Sequence, residues 1–172
     1  MATSFSERMV RAAKLDRAVY EELEQDRTAT GQAAAVVVLV AVTTGIGLGA
    51  GFRGLLLGLV AGLLAWAFWA ALIYWIGAKL LPEPQTRADW GELARTLAFA
   101  SSPGALRILG VVPVLGEIVF AVTGIWMLVA TVIAVRQALD YRSLPRAVAV
   151  CLIGLVAQMA LFFVLTRTAG PV

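Results

Sequence analysis

LARTLAFASSPGALRILGVVPVLGEIVFAVTGIWMLVATVIAV, residues 93–135, decides the fold. The stretch is apolar enough for a bilayer interior, yet it holds Pro103, Pro113, Arg107 and Glu117. A plain lipid-facing anchor has no use for ring-locked or charged positions. At membrane depth such residues are costly, and they normally sit inside a bundle, facing protein or water. The stretch therefore reads as a helical hairpin within a polytopic membrane protein. Between Arg95 and Arg107 only 11 residues are uncharged, too few for a lipid-facing span. Ser101, Ser102 and Pro103 stand in the middle of them. Pro103 cannot donate to a helix ladder, and nearby hydroxyls can satisfy the carbonyls it frees. These three residues mark a kink in a shielded third helix, and Pro113 marks the turn of the hairpin. The 18 uncharged residues Ile118–Val135 form the bulk of the next helix.

Working outward, the composition supports the same class. Apolar residues make up 60% of the 172, charged ones 15%, and mean hydropathy is +0.87. A water-soluble domain of that make-up would lack polar surface. The chain has no histidine and one cysteine, Cys151, set in an apolar run where it serves as a small packing residue. That removes His/Cys zinc sites, His-based triads and internal disulfides. No catalytic, cofactor-binding or metal-binding residue is assigned, and the chain is read as a non-enzyme. The net charge of +3 reports orientation in the membrane rather than a nucleic-acid partner.

The expected fold is all-α, five transmembrane helices preceded by an amphipathic helix. Residues 1–27 are the cytoplasmic amphipathic segment and 28–172 the membrane domain, with spans near 28–52, 54–78, 92–111, 114–136 and 146–166. In the N-terminal segment Phe5, Met9, Ala12, Val19, Tyr20 and Leu23 share one side of a helical wheel, which Asp16 spoils. Glu7 with Arg11 and Arg17 with Glu21 have pairing distance on the other side. Thr28–Phe52 and Gly54–Ala78 are each 25 residues without charge, against the roughly 20 needed to span. Arg53 stands in the turn between them. Gly54, Gly58 and Gly62 recur on one face, the spacing that lets a neighbouring backbone approach closely. Trp66 and Trp69 fall near mid-bilayer and are read as bundle fillers. Pro82 and Pro84 stop the second helix. Asp89 with Glu92 caps the third, and Ser143 with Pro145 opens the last.

With five spans, the N-terminal segment, 79–95 and 136–146 lie on one side and carry eleven of the 14 Lys and Arg. The other side carries three. The positive-inside rule then puts the N-terminus in the cytoplasm and the C-terminus outside. Arg107 and Glu117 face the same outer edge at opposite ends of the hairpin, and they are expected to form an ion pair that orients it.

Several motifs in order carry a resemblance to a known family. They are the A-x-x-P kink from Ala100 to Pro103, the hairpin turning at Pro113, and the Ile125–Trp126 pair. Arg136–Gln137–Ala138 before a polar loop and the R-A-x-A-V opening from Arg146 to Val150 continue the series. Upstream, YEELEQDRTATGQAAAVVV (20–38) resembles the segment entering the first helix of bacterial members. Over 14–166 the chain resembles the Yip family of Rab/Ypt-interacting proteins, in its bacterial form. The resemblance implies a five-helix bundle with a cytoplasmic N-terminus, located in the inner membrane of a bacterium. Eukaryotic members bind prenylated Rab GTPases. This sequence lacks their D-L-Y-G-P motif and long N-terminal region, so Rab binding is not carried over.

The functional expectation is a scaffold that organises membrane partners. The partner classes are the lipid bilayer, a second copy of the chain, or another membrane protein. The alternative is a small transporter or channel subunit with a polar cavity near Arg107 and Glu117. A dry interior argues for the first, and a polar cavity reaching Arg107 for the second.

Overall fold

The computed structural model describes residues 4–168, apart from the side chains at 162, 165, 166 and 168. Every regular element among these residues is helical. Ser4 opens α1 (Phe5–Ala13), its hydroxyl accepting from the Glu7 N–H at 3.3 Å. The chain then breaks at Leu15, which takes a left-handed φ of 63°. Asp16 starts α2 (Arg17–Gln25) by accepting from the Ala18 N–H at 3.0 Å. The single amphipathic helix expected from the sequence is therefore a two-helix hairpin. The residue that spoiled its apolar face is an N-cap, a position where Asp is strongly favoured. The salt bridges differ accordingly. Arg11 reaches across the hairpin to Asp16 (2.7 Å) and Glu22 (3.1 Å), rather than back to Glu7.

Asp26 caps a short 3-10 turn (Arg27–Ala29) that leads into α3 (Thr30–Gly47). The α3–α4 turn lies at 48–50, not at Arg53. Gly49 and Gly51 take φ of 65° and 63°, which only glycine adopts without cost, so the chain reverses at the glycines rather than at the charge. Arg53 sits in the first turn of α4 (Gly51–Tyr74), which continues as a π-helical end over Trp75–Leu80. The widened ladder is seen in the Leu81 N–H bonding the Ile76 carbonyl, five residues back, at 2.8 Å. It ends where the Tyr141 hydroxyl meets the carbonyls of Gly77 (2.8 Å) and Leu81 (2.7 Å).

Asp89 and Glu92 form a full capping box at the start of α5 (Trp90–Ala100). The expected third span is not one kinked α-helix. The α ladder stops at Ala100, and Ser102–Val111 runs on as a ten-residue 3-10 helix with Pro103 in its first turn. Pro113 then lies in the turn before α6 (Leu115–Ala138). Ser143 accepts from the Arg146 N–H at the start of α7 (Leu144–Thr168).

Among the described residues, four helical rods are long and apolar enough to cross a membrane: Arg27–Gly47, Gly51–Leu80, Leu115–Ala138 and Leu144–Leu161. α5 is central. It touches α1, α2, α3, α4 and α6, and Leu93–Ala100 are buried without interruption. Exposed large apolar side chains form a belt over Leu39–Leu48, Phe52–Phe68, Val114–Val129 and Leu152–Val164. Along α6 the belt covers about 22 Å of helix rise. Past Val129, Ala130, Ala134, Val135 and Ala138 are buried, where the α1–α2 hairpin leans on the bundle. The hairpin thus covers one end of the molecule, with α1 reaching the 3-10 helix and Trp126 at the edge of the apolar belt.

Candidate functional site

α3 and α4 run side by side and part midway. Gly62 lies close under Ala41, since a Cβ built there would meet the alanine Cβ at 3.2 Å. At Gly58, one turn away, the same construction meets nothing within 4 Å. The glycine face is therefore in close contact at one end and open at Gly58. The opening is a cavity of about 470 Å³, within the usual range for small-molecule sites. Val37, Val40 and Ala41 line it from α3, Leu48 from the turn, and Gly54, Gly58, Trp66 and Trp69 from α4. α5 adds Leu97 and Ser101, and α6 adds Met127 and Thr131. Trp66 donates to the Ala94 carbonyl at 2.9 Å, fixing the ring that closes the deep end.

Arg107 sits at the outer end. Its carbonyl lies against Gly47, where a Cβ would come within 2.0 Å of it. Its Nε donates to the Thr123 hydroxyl at 3.2 Å, and its guanidinium stands 5.3 Å from the Phe120 ring centroid. No ion pair joins Arg107 to Glu117 among the described residues. Glu117 is exposed in the first turn of α6, where a carboxylate favours the helix dipole. The other residues singled out are spread along the same path. Ser101 ends α5 by donating to the Ala98 carbonyl at 2.6 Å, Ser102 and Pro103 are buried, and Pro113 is exposed at the turn.

The side chains that fasten the N-terminal hairpin to the bundle are not among those the sequence singles out. Arg8, only 5% exposed, donates to Glu22 (2.9 Å), Asp26 (2.7 Å) and Gln32 (3.0 Å), tying α1, α2 and α3 together. Arg95, also buried, reaches from α5 to the Leu23 and Glu24 carbonyls at 2.8 and 2.5 Å. Those are carbonyls of the last turn of α2, which lack helical partners and favour a cation. Trp126 donates to the Ala13 carbonyl at 2.7 Å. No local pattern signals these contacts, because the partners lie 14 to 113 residues apart.

At the same end, the Glu83 carboxylate accepts from the Arg142 and Ser143 N–H groups at 3.0 and 3.4 Å. Those bonds, the Arg142 one foremost, hold its pKa below the usual carboxylate range. Burial pushes the Tyr141 phenol up to about 12.

The profile of the Yip1 domain matches residues 16–166. The chain belongs to the Yip1-domain family. Its apolar rods accordingly make it a multi-pass membrane protein in contact with the bilayer. No curated protein and no solved structure matches it significantly. Within this Yip1-domain fold the cavity beside Arg107 and the fastened hairpin are the two features that go beyond simple membrane anchoring.

Proposed function

We propose that this Yip1-domain protein crosses the membrane five times and organises membrane components rather than catalysing a reaction or passing a polar solute. The observation that carries the reading is the character of the cavity. Its walls are Val, Ala, Leu, Gly, Met and Trp, with Thr44, Ser101, Thr131 and Arg107 as the polar exceptions. A polar solute would exchange water for few hydrogen bonds there. The fifth crossing in this reading is α5 with the following 3-10 helix. At about 1.5 Å and 2.0 Å per residue, their 11 and 10 residues rise about 16 and 20 Å, enough for a hydrocarbon core of about 30 Å.

The loops support this count. Residues 81–89 meet 139–143 through Glu83, and the hairpin reaches the same end through Glu21 and Gln137. These are the segments rich in Lys and Arg, so we place that end in the cytoplasm and the C-terminus outside. We place it in a bacterial inner membrane on the likeness of residues 20–38 to the entering segment of bacterial members, and Rab GTPases are not proposed as partners. The partners proposed are other membrane proteins or a second copy, met through the exposed polar face of the hairpin, including Glu7, Lys14, Arg17 and Glu21.

Crosslinking in native membranes followed by mass spectrometry tests this. A defined adduct lost on deleting residues 4–25 is expected. Uptake of a polar solute into vesicles containing the purified protein would argue for transport instead.

A further inference from the structure

We infer that the groove between α3 and α4 holds an acyl chain of an anionic phospholipid whose headgroup phosphate sits on Arg107. This goes beyond the organising role and does not depend on it.

Shape is the first ground. The α4 residues that line the groove, Gly54 to Trp69, span about 22 Å of helix rise, with the touching pair Gly62 and Ala41 forming part of its wall. Gly58 leaves its wall without a side chain, and Trp66 and Trp69 close the deep end. Such a channel, opening sideways within the apolar belt, fits a hydrocarbon chain.

Charge is the second. A guanidinium has five N–H donors, and Arg107 uses only Nε, on Thr123. No acceptor meets the other four, and no carboxylate pairs with Arg107, among the described residues. Near a bilayer surface the matching acceptor is a phosphate, which a guanidinium binds through two parallel hydrogen bonds. Arg107 stands beside Gly47 at the end of α3, where headgroups meet the belt.

One lipid molecule therefore satisfies the open wall and the free donors together.

The test is lipid retention. The full chain is reconstituted in nanodiscs of phosphatidylcholine with phosphatidylglycerol, exchanged into mild detergent, and weighed by native mass spectrometry. One phosphatidylglycerol per chain is expected to stay bound. Arg107→Gln should lower its occupancy at least tenfold. Gly58→Leu should do the same by filling the groove, and with an exposed helical position and open space at its Cβ it retains the fold. Arg53→Gln, an exposed cation at the same end, should leave retention unchanged. The inference is overturned if the wild type keeps no lipid, or keeps phosphatidylcholine equally well. It is also overturned if both groove variants keep the lipid, or if Arg53→Gln loses it to the same extent, which would mark it as annular lipid only. If Arg107→Gln fails to fold, Gly58→Leu decides. Should glycerol phosphate displace the lipid as well as a competing phosphatidylglycerol does, the acyl part of the site falls.

Discussion

At the scale of single residues, charge matters here by where the backbone brings it. Arg8 looks in sequence like one more surface cation, yet it is buried and bound to side chains from two other elements. Removing it takes from Asp26 its cation and from Glu22 one of its cations. Arg8→Gln is expected to cost about 2–3 kcal/mol, less than the loss from a fully buried pair, because both carboxylates keep some water. A denaturant titration in mixed micelles measures it, and a midpoint equal to wild type would refute the role. Gly47 is the opposite case, a residue defined by having no side chain. A Cβ there would lie 2.0 Å from the Arg107 carbonyl, a backbone atom that cannot swing away. Gly47→Ala should destabilise the outer end by about 1–3 kcal/mol through overpacking. The same titration checks it, with Gly58→Ala as the silent comparison.

At the scale of elements, the α1–α2 hairpin is held by groups that titrate in opposite senses. Burial raises the Glu24 pKa from its ordinary 4.5 to about 7, helped by Asp140, Glu92 and Glu21 and opposed by Arg95. The docked form therefore holds this proton more tightly than the released one. The resulting stabilisation is complete below 4.5 and is lost as pH rises through about 7. Asp16 and Asp26 run the other way. The Arg11 hydrogen bond lowers the first, and the Thr28 hydrogen bond followed by Arg8 lowers the second, from 3.8. Their contribution, which closes the hairpin on itself rather than docking it, holds above 3.8 and disappears as pH falls through the lowered values. With the hairpin closed, docking should thus loosen as pH rises from 4.5 toward 8. Spin labels at Ser6→Cys and Leu128→Cys would read the docked fraction by their separation. Glu24→Gln should abolish the loosening between 5 and 8, and an unaltered profile in that variant would assign it to other groups. The path from α5 into the 3-10 helix follows the same logic of local need. Eight buried residues keep α5 regular, and the ladder tightens at Ser102–Pro103, where a proline cannot donate.

At the scale of the whole molecule, the prediction concerns topology. An odd number of crossings separates the termini, and an even number puts them on one side. A reporter fused after Val172 should be active outside, while one inserted near Gln85 should be active in the cytoplasm. Cytoplasmic activity of both would reduce the crossings to four and leave the α5 segment as a re-entrant element. The exposed apolar belt limits the choices, because it includes Leu106, Ile108, Leu109 and Val111 of the 3-10 helix as well as the four long rods.

How much of this was legible depends on the range of the interactions involved. Uncharged runs of 18 to 25 residues announced the long rods, since lipid imposes their length. The Asp89–Glu92 box and the Ser143 start were readable because a cap and its target are neighbours in sequence. The break at Leu15 was not readable, because Asp16 seen alone spoils a helix face and only its bond to the Ala18 N–H turns it into a cap. The turn at 48–50 does not follow from the charge at Arg53, because the positive φ of Gly49 and Gly51 is what reverses the chain. The groove was hidden for a different reason. Gly54, Gly58 and Gly62 have identical spacing, and only the divergence of α3 from α4 decides that Gly62 touches a neighbour while Gly58 faces open space. By itself, then, the sequence determined that lipid surrounds a helical bundle, since periodicity and hydropathy act within one segment. Only the tertiary structure decided which charges are tied together and which stay free, because Arg8, Arg95 and Arg107 take their partners from distant parts of the chain.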